Sequence, residues 1–271
     1  MSALWNGTGG NAWVDLAPIL DQMFLGFETR LADAAVARGA QRVLDVGCGT
    51  GATTMAIARR LGAAATCTGV DISAPMVAAA VARPAEDFPP PEFIIADAAE
   101  SPFEAGAFDL LTSRFGVMFF ADPTAAFANL RRAAAPGGGL RFFCWRAPAD
   151  NPFMTAGTRA TRHLLPEMPE WRPGAPGQFA FAECERVEEI LAAAGWEGVE
   201  IEPVDVPCTF PESGLLPYLT RLGSVGQALA DADEATRAEA LDALRDAYAP
   251  YIEGEEVRYT AACWSVGAES R

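Results

Sequence analysis

Apolar runs alternate with helical runs between residue 41 and about residue 146 of this chain. Five short apolar runs predict strands at residues 42–46, 66–72, 92–96, 108–113 and 140–145. Three runs between them predict helices at residues 52–61, 74–83 and 124–135. Near-continuous apolar strands separated by helices are typical of a parallel sheet that is covered on both faces. The pattern therefore predicts an α/β fold with a doubly wound, mostly parallel sheet.

The alternation breaks after residue 147. Residues 147–177 contain six prolines and predict irregular chain around a short helix. Regular signals return as a helix at 184–194, a strand at 199–206, a helical stretch at 214–251 and a β-rich run at 258–266. We expect one compact domain with an N-terminal helical lid segment (1–40), a core (41–146) and the rest of the sheet (147–271). Insertions at about 147–177 and 214–251 would cap the site.

Three glycines alternate directly after the first predicted strand, at Gly47, Gly49 and Gly51. Glycines between a strand and a helix let bare backbone N–H groups approach a ligand closely. Asp71 ends the second predicted strand, 20 residues beyond Gly51, where a carboxylate can accept hydrogen bonds from both hydroxyls of a ribose. The same glycine spacing also fits the dinucleotide-binding fingerprint, so a nicotinamide cofactor remains an alternative.

Two acidic positions favour a different nucleoside cofactor. Asp45 stands two residues before Gly47, where nicotinamide sites usually carry a small or apolar residue, and Asp97 follows the third predicted strand. The runs D-V-G-C-G-T-G, V-D-I-S-x-x-M and A-D-A-x-x-x-P-F-x-x-x-x-F-D occur in this order. With them the chain resembles the class I S-adenosylmethionine (SAM)-dependent methyltransferases, in particular the type 11 and quinone-biosynthesis groups. The resemblance is strong over residues 41–145 and weaker over 179–206 and the C-terminus.

The resemblance implies a seven-stranded Rossmann-like sheet with the last strand antiparallel, SAM as cofactor and S-adenosylhomocysteine (SAH) as product. Methyl transfer would go to an oxygen, nitrogen or carbon nucleophile of a small molecule in the cytoplasm. The cofactor-binding residues would be Asp45, Gly47, Cys48, Gly49, Gly51, Asp71, Ile72, Met76, Asp97, Ala98, Ser113 and Arg114.

Each assignment has a structural alternative. The glycines can form no more than a tight turn, Cys48 can be a small filler, Met76 a core side chain and Asp97 a strand-end cap. Arg114 lies among apolar neighbours and needs a partner, which would be Asp45, Asp97 or a substrate anion.

Aromatic residues are candidates for the substrate pocket. Phe115 and Phe119 follow the fourth predicted strand, and Trp5 and Trp13 lie in an N-terminal segment of low regularity before a predicted helix at 19–37. Ordinary packing is the alternative for all four. The sequence offers no convincing general base. Arg114 and His163 are weak catalytic candidates, since His163, the only histidine, is as well explained as a surface residue.

Composition limits the partners. Residues 1–149 hold 14 acidic and 11 basic side chains (−3), and residues 150–271 hold 22 and 9 (−13), which argues against nucleic acid and membrane surfaces. Six scattered cysteines fit reduced thiols in a cytosol, and one histidine leaves no metal centre. We expect a monomer or homodimer that binds a neutral or weakly charged small molecule in a mostly apolar cavity with few polar groups. An NAD(P)-dependent oxidoreductase and a catalytically inactive SAM-binding regulatory protein are the alternatives.

Overall fold

A computed structural model describes residues 2–85, 88–169 and 171–271. Its strands belong to one sheet of eight: β1 Arg42–Val46, β2 Thr66–Asp71, β3 Glu92–Ile95, β4 Phe108–Arg114, β5 Ala134–Trp145, β6 Glu197–Pro211, β7 Ile252–Glu253 and β8 Glu256–Ser270. The order is β3-β2-β1-β4-β5-β8-β6, and the two-residue β7 pairs with β8. Strands β1 to β5 pair in parallel, whereas β8 is antiparallel to both β5 and β6. The predicted fold class is confirmed.

Helices cover both faces of the sheet and fill the connections. They are α1 Ser2–Trp5, α2 Thr8–Asp15, α3 Ala17–Met23, α4 Leu25–Arg38, α5 Ala52–Leu61, α6 Ala74–Val81, α7 Pro123–Ala133, α8 Pro152–Thr161, α9 Cys184–Ala193, α10 Leu215–Arg221, α11 Gly223–Asp231 and α12 Glu234–Tyr248. The helical stretch expected at 214–251 is therefore three helices. Among the described residues, no helix has the length and apolar character that crossing a membrane requires.

Two expectations for the N-terminal segment are wrong. The segment expected to be irregular forms α1 and α2, and the single helix expected at 19–37 is interrupted at Phe24, between α3 and α4. Phe24 leaves helical geometry (ψ 12°), and its buried ring packs against Phe115 and Trp145. Tertiary packing of one aromatic ring thus interrupts a helix that the local pattern would continue.

The fifth strand begins at Ala134, six residues before the start predicted at residue 140. Helix α7 does end at Ala133, but the proline and glycines that follow belong to β5. A Cβ on Gly139 would lie 2.6 Å from the Arg38 guanidinium, which pairs with Glu269 of β8 at 2.8 Å. These glycines therefore allow a close approach of side chain to strand and do not stop the strand.

Candidate functional site

A large cavity opens at the carboxyl ends of β1, β2, β4 and β5. Its volume is about 2140 Å³, whereas a small-ligand site usually has about 300–1000 Å³. The cavity therefore has room for two ligands side by side. Most sequence-predicted site residues line it: Trp5, Trp13, Asp45, Gly47, Cys48, Gly49, Asp71, Ile72, Met76, Asp97, Ala98, Arg114, Phe115 and Phe119. Gly51, Ser113 and His163 do not line it, and His163 is exposed.

The glycine loop between β1 and α5 is held in left-handed backbone conformations, with φ of 67° at Gly47, 56° at Gly49 and 84° at Gly51. A Cβ on Gly47 would lie 2.7 Å from the Cα of Gly116, so this glycine lets the loops after β1 and β4 touch. A Cβ on Gly51 would meet the Phe93 ring at 2.9 Å, behind the cavity. Gly47 and Gly49 both line the cavity, but only at Gly49 would a Cβ meet nothing closer than 3.7 Å. The three glycines therefore have different roles.

Asp71 ties the glycine loop to the end of β2. Its Oδ2 accepts a hydrogen bond from the Gly49 N–H (2.9 Å), and its Oδ1 accepts one from the Ser73 N–H (2.8 Å). Burial raises the pKa of the Asp71 carboxyl, and these two N–H groups oppose the rise. Each carboxylate oxygen can accept a further hydrogen bond, so Asp71 can serve a pair of neighbouring hydroxyls on the cavity side.

Asp45 is the most buried carboxyl group of the site, with 1% exposure. The Thr54 hydroxyl donates to its Oδ2 at 2.6 Å, and the Thr112 hydroxyl donates to its Oδ1 at 3.3 Å. Burial raises the pKa of Asp45 from 3.8 to about 6, although both hydroxyls and the positive charge of Arg114 lower it. Asp45 therefore connects β1, α5 and β4, and its charge is easily lost in mild acid.

Arg114 forms no ion pair and no side-chain hydrogen bond with any described residue, so the expected pairing with Asp45 or Asp97 is wrong. Its guanidinium lies over the Phe24 ring at 5.6 Å, and burial lowers its pKa. The negative charges of Glu28, Asp21 and Asp45 oppose that lowering. Nη1 is buried without a partner, which leaves a donor free.

The contacts of Asp97 are those of a strand-end cap, and Cys48 is a buried small side chain. Asp97 accepts a hydrogen bond from the Ala99 N–H at 2.9 Å, as in a strand-end cap. Burial raises the pKa of the Cys48 thiol well above its usual value, so the thiol remains protonated and unreactive. Both residues nevertheless line the cavity.

The turn after β4 is strained. Phe115 has a φ of 65° and is, among the described residues, the one non-glycine with positive φ. Its ring stacks on Trp145 at 4.7 Å, and its N–H donates to the Phe143 carbonyl. The Ser113 hydroxyl donates to the Val46 carbonyl at 2.7 Å and accepts from the Gly116 N–H. Such strain costs about 1–3 kcal/mol, and these contacts hold the Phe115 ring against the cavity.

The N-terminal helices lie over the loop that follows β2. The Ser73 hydroxyl donates to the Trp5 carbonyl at 2.6 Å, and the Asn6 side chain bonds both the Ile72 carbonyl and the Ala74 N–H. The Trp5 ring meets the Trp13 and Phe119 rings edge to face, at 6.1 and 5.2 Å. The segment thus covers one side of the cavity.

Sequence reasoning missed Asn6, Ser73 and Arg83. Arg83 donates to the Thr50 hydroxyl at 3.1 Å and pairs with Asp21 at 2.7 Å, so it fastens the glycine loop to α3. Ser73 was visible as a serine before Pro75, a combination typical of a helix N-cap. Asn6 and Arg83 carry no local signal, because their partners are distant in sequence.

Comparisons with known proteins agree with this geometry. The sequence profile of a family described as "Methyltransferase domain" matches residues 43–138. A demethylmenaquinone methyltransferase of Thermus thermophilus is 31% identical over 180 residues, covering 64% of this chain and 81% of that protein. The nocamycin O-methyltransferase of Saccharothrix syringae is 36% identical over 120 residues, 44% and 43% of the two chains.

Two solved structures share the fold. The YcgJ protein of Bacillus subtilis has a TM-score of 0.59 and 17% identity, covering 90% of this chain and 97% of its own. Phosphoethanolamine N-methyltransferase 2 of Haemonchus contortus, solved with SAM, has a TM-score of 0.51 and 20% identity, covering 89% and 52%.

Proposed function

Because the chain belongs to the SAM-dependent methyltransferase family, we propose that it methylates a small molecule held in the cavity at the ends of β1, β2 and β4. Membership rests on the 31% identity that extends over 81% of the Thermus thermophilus protein. The relatives are methyltransferases, so neither a nicotinamide-dependent oxidoreductase nor an inactive SAM-binding regulator is favoured.

The observation that carries the cofactor assignment is the cradle formed by Asp71 and the glycine loop. A Cβ on Gly49 would enter the cavity, 3.7 Å from the Trp13 ring nitrogen and 3.8 Å from the Met76 sulfur. The free lone pairs of Asp71 face the same space and suit the ribose hydroxyls. Asp71 and the glycine loop would hold SAM here, and SAM would supply an electrophilic methyl group.

The remaining cofactor contacts follow from position along the sheet edge. We assign the backbone at Gly47 and Gly49 to the methionine part, with Asp45 orienting the loop. Ile72 and Met76 would cover one adenine face, and Asp97 would meet the adenine edge together with Ala98. The backbone at Arg114 would meet the methionine amino group, whereas Ser113 is buried outside the cavity and is left out of the contact set.

The chain's own part in the reaction is alignment and exclusion of water. Phe115, Phe119 and Trp145 form an aromatic wall beside the end of β4, and aromatic faces attract cationic groups. Burial raises the pKa values of the cavity tyrosines, Tyr248 to about 12, so these hydroxyls stay protonated at neutral pH. We assign no general base, and no role to His163, since it is exposed outside the cavity.

Residues 147–177 and 214–251 would form the substrate cap, because both segments contribute to the cavity wall. The names of the two relatives refer to demethylmenaquinone and nocamycin, which supports a small-molecule acceptor. All six cysteines are free thiols, which suits a cytoplasmic enzyme.

Cofactor binding is the experiment that tests the proposal. SAH at a hundredfold excess over its Kd should stabilise the protein by about 2.7 kcal/mol, whereas NADH and NADPH should not. Asp71→Ala removes a charged acceptor of two hydrogen bonds, each worth about 1.5–3 kcal/mol before compensation, so SAH affinity should fall at least about tenfold.

Asp33→Ala is the matched control, because Asp33 is an exposed carboxylate on α4 that pairs with Arg60. It should leave SAH affinity unchanged in calorimetry. Stabilisation by NADH without stabilisation by SAH would refute the proposed function. Equal SAH affinity of Asp71→Ala and the wild type would refute the assignment of Asp71.

A further inference from the structure

The arginines and the acidic residues of 150–271 are distributed differently around the cavity, which the net charge of this segment does not show. Residues 150–271 carry nine arginines, and four of them line the cavity: Arg159, Arg162, Arg172 and Arg221. Of the described acidic residues in the same segment, only Asp231 lines it. A segment with a net charge of −13 thus contributes four of its nine arginines, but only one of its described acidic residues, to the cavity wall. The cavity wall is mostly apolar, as expected, and this segment adds charged side chains to it.

Helix α8 shows how the sequence produces this arrangement. Thr155, Thr158, Arg159 and Arg162 follow one another at helical spacing and all line the cavity. Three residues that the helix buries against the protein lie on another face and do not line the cavity: Phe153, Ala156 and Thr161. Because packing fixes the apolar face, the stripe of hydroxyl and guanidinium groups is held toward the cavity.

Two of the four guanidinium groups are already engaged. Arg162 donates to the Met168 and Pro169 carbonyls, and Arg221 pairs with Asp15 of α2. Arg159 and Arg172 form no ion pair and no side-chain hydrogen bond with described residues. Arg159 lies near enough to Tyr248 for its charge to lower the pKa of that buried hydroxyl. The donors of Arg159 and Arg172 are therefore available to a ligand in the cavity.

We infer, on the basis of the proposed function, that the substrate carries an anionic group, a carboxylate or a phosphate, which Arg159 and Arg172 bind at the cap end of the cavity. The guanidinium fork matches both anions and holds them in two parallel hydrogen bonds. At the other end, near β4, Phe115, Phe119 and Trp145 offer an apolar surface. The substrate class is thus an acid with an apolar body, methylated at the end remote from its anion.

The test measures binding of three probes to the SAH complex by calorimetry: 2-naphthoate, 2-naphthyl phosphate and neutral 2-naphthamide. At least one anion should bind about tenfold more tightly than the amide, as expected for charge-assisted hydrogen bonds. The affinities of 2-naphthoate and 2-naphthyl phosphate, compared with each other, show whether the site prefers a carboxylate or a phosphate. Arg159→Gln and Arg172→Gln should each remove most of the preference for the anion while SAH affinity stays unchanged.

Arg245→Gln is the matched control, because it makes the same change in net charge on α12, outside the cavity, where Arg245 pairs with Asp242. It should keep the anion preference. Three results would overturn the inference: equal binding of anions and amide, no binding of any probe, or equal losses in all three variants. Failure of SAH itself to bind would instead refute the proposed function, so the two failures are distinguishable.

Discussion

Asp45→Asn tests what the buried carboxylate costs the fold. Burial raises the pKa of Asp45 from 3.8 to about 6. A difference of one unit between the pKa values of the folded and unfolded states corresponds to about 1.4 kcal/mol of folding free energy. The charged form therefore costs about 3 kcal/mol of folding free energy at pH values well above 6. Asparagine keeps the size of the side chain, and its amide can exchange hydrogen bonds with the Thr54 and Thr112 hydroxyls, so the variant should avoid this cost.

The sign of the pH dependence follows from the raised pKa. Stability from protonated Asp45 is fully present below pH 3.8 and is lost as the pH rises through about 6. Urea unfolding should therefore give similar free energies for the wild type and the variant at about pH 4, with the variant more stable by up to about 3 kcal/mol at about pH 8. SAH affinity should fall in the variant, because Asp45 orients the loop through its bonds to Thr54 and Thr112, and the amide replaces the charge that holds them.

Thr54→Val provides a second check on the same carboxyl group. The Thr54 hydroxyl lowers the pKa of Asp45, so its removal should move the transition in stability to higher pH. If Asp45→Asn were less stable than the wild type by the same amount at every pH, the carboxylate would be held as a favourable ion and the reasoning would be refuted.

Two further variants test the loop and the lid. Gly47→Ala should lower the free energy of unfolding by more than Gly137→Ala does. Both glycines have positive φ (67° and 72°), and the strain common to both substitutions is about 1–2 kcal/mol. Only at Gly47 would the new Cβ also meet backbone, the Gly116 Cα at 2.7 Å, so equal losses would show that no close contact exists. Trp5→Ala should speed SAH dissociation in stopped-flow fluorescence with little change in unfolding free energy, since its ring closes on Trp13 and Phe119; an unchanged dissociation rate would argue against a lid.

The parallel part of the sheet, and the functional residues at the ends of its strands, were predictable from the apolar runs in the sequence. The pattern of apolar runs places Asp45, Gly47 and Asp71 at the ends of adjacent strands, and all three line one cavity. The helix break at Phe24 was not predictable, because its cause is a ring contact with residues about 90 to 120 positions later. Helix α2 likewise depends on distant packing, since its glycine-rich sequence has little helical propensity of its own.

The cap shows a different limit of sequence reasoning. A net charge summed over residues 150–271 suggested a neutral or weakly charged substrate, because a sum does not show which side chains turn inward. The signal was present in α8, where Thr155, Thr158, Arg159 and Arg162 repeat at helical spacing opposite an apolar face. Whether such a face meets water or a cavity is decided by segments far away in sequence, and only the structure supplies that information.

A crystal structure of the SAH complex tests the central claim most directly. The account predicts that both ribose hydroxyls lie within hydrogen-bonding distance of the Asp71 carboxylate, that the adenine lies beside Ile72 and Met76, and that the sulfur faces the wall formed by Phe115 and Phe119. SAH bound elsewhere, or bound in the cavity with its ribose away from Asp71, would contradict the account.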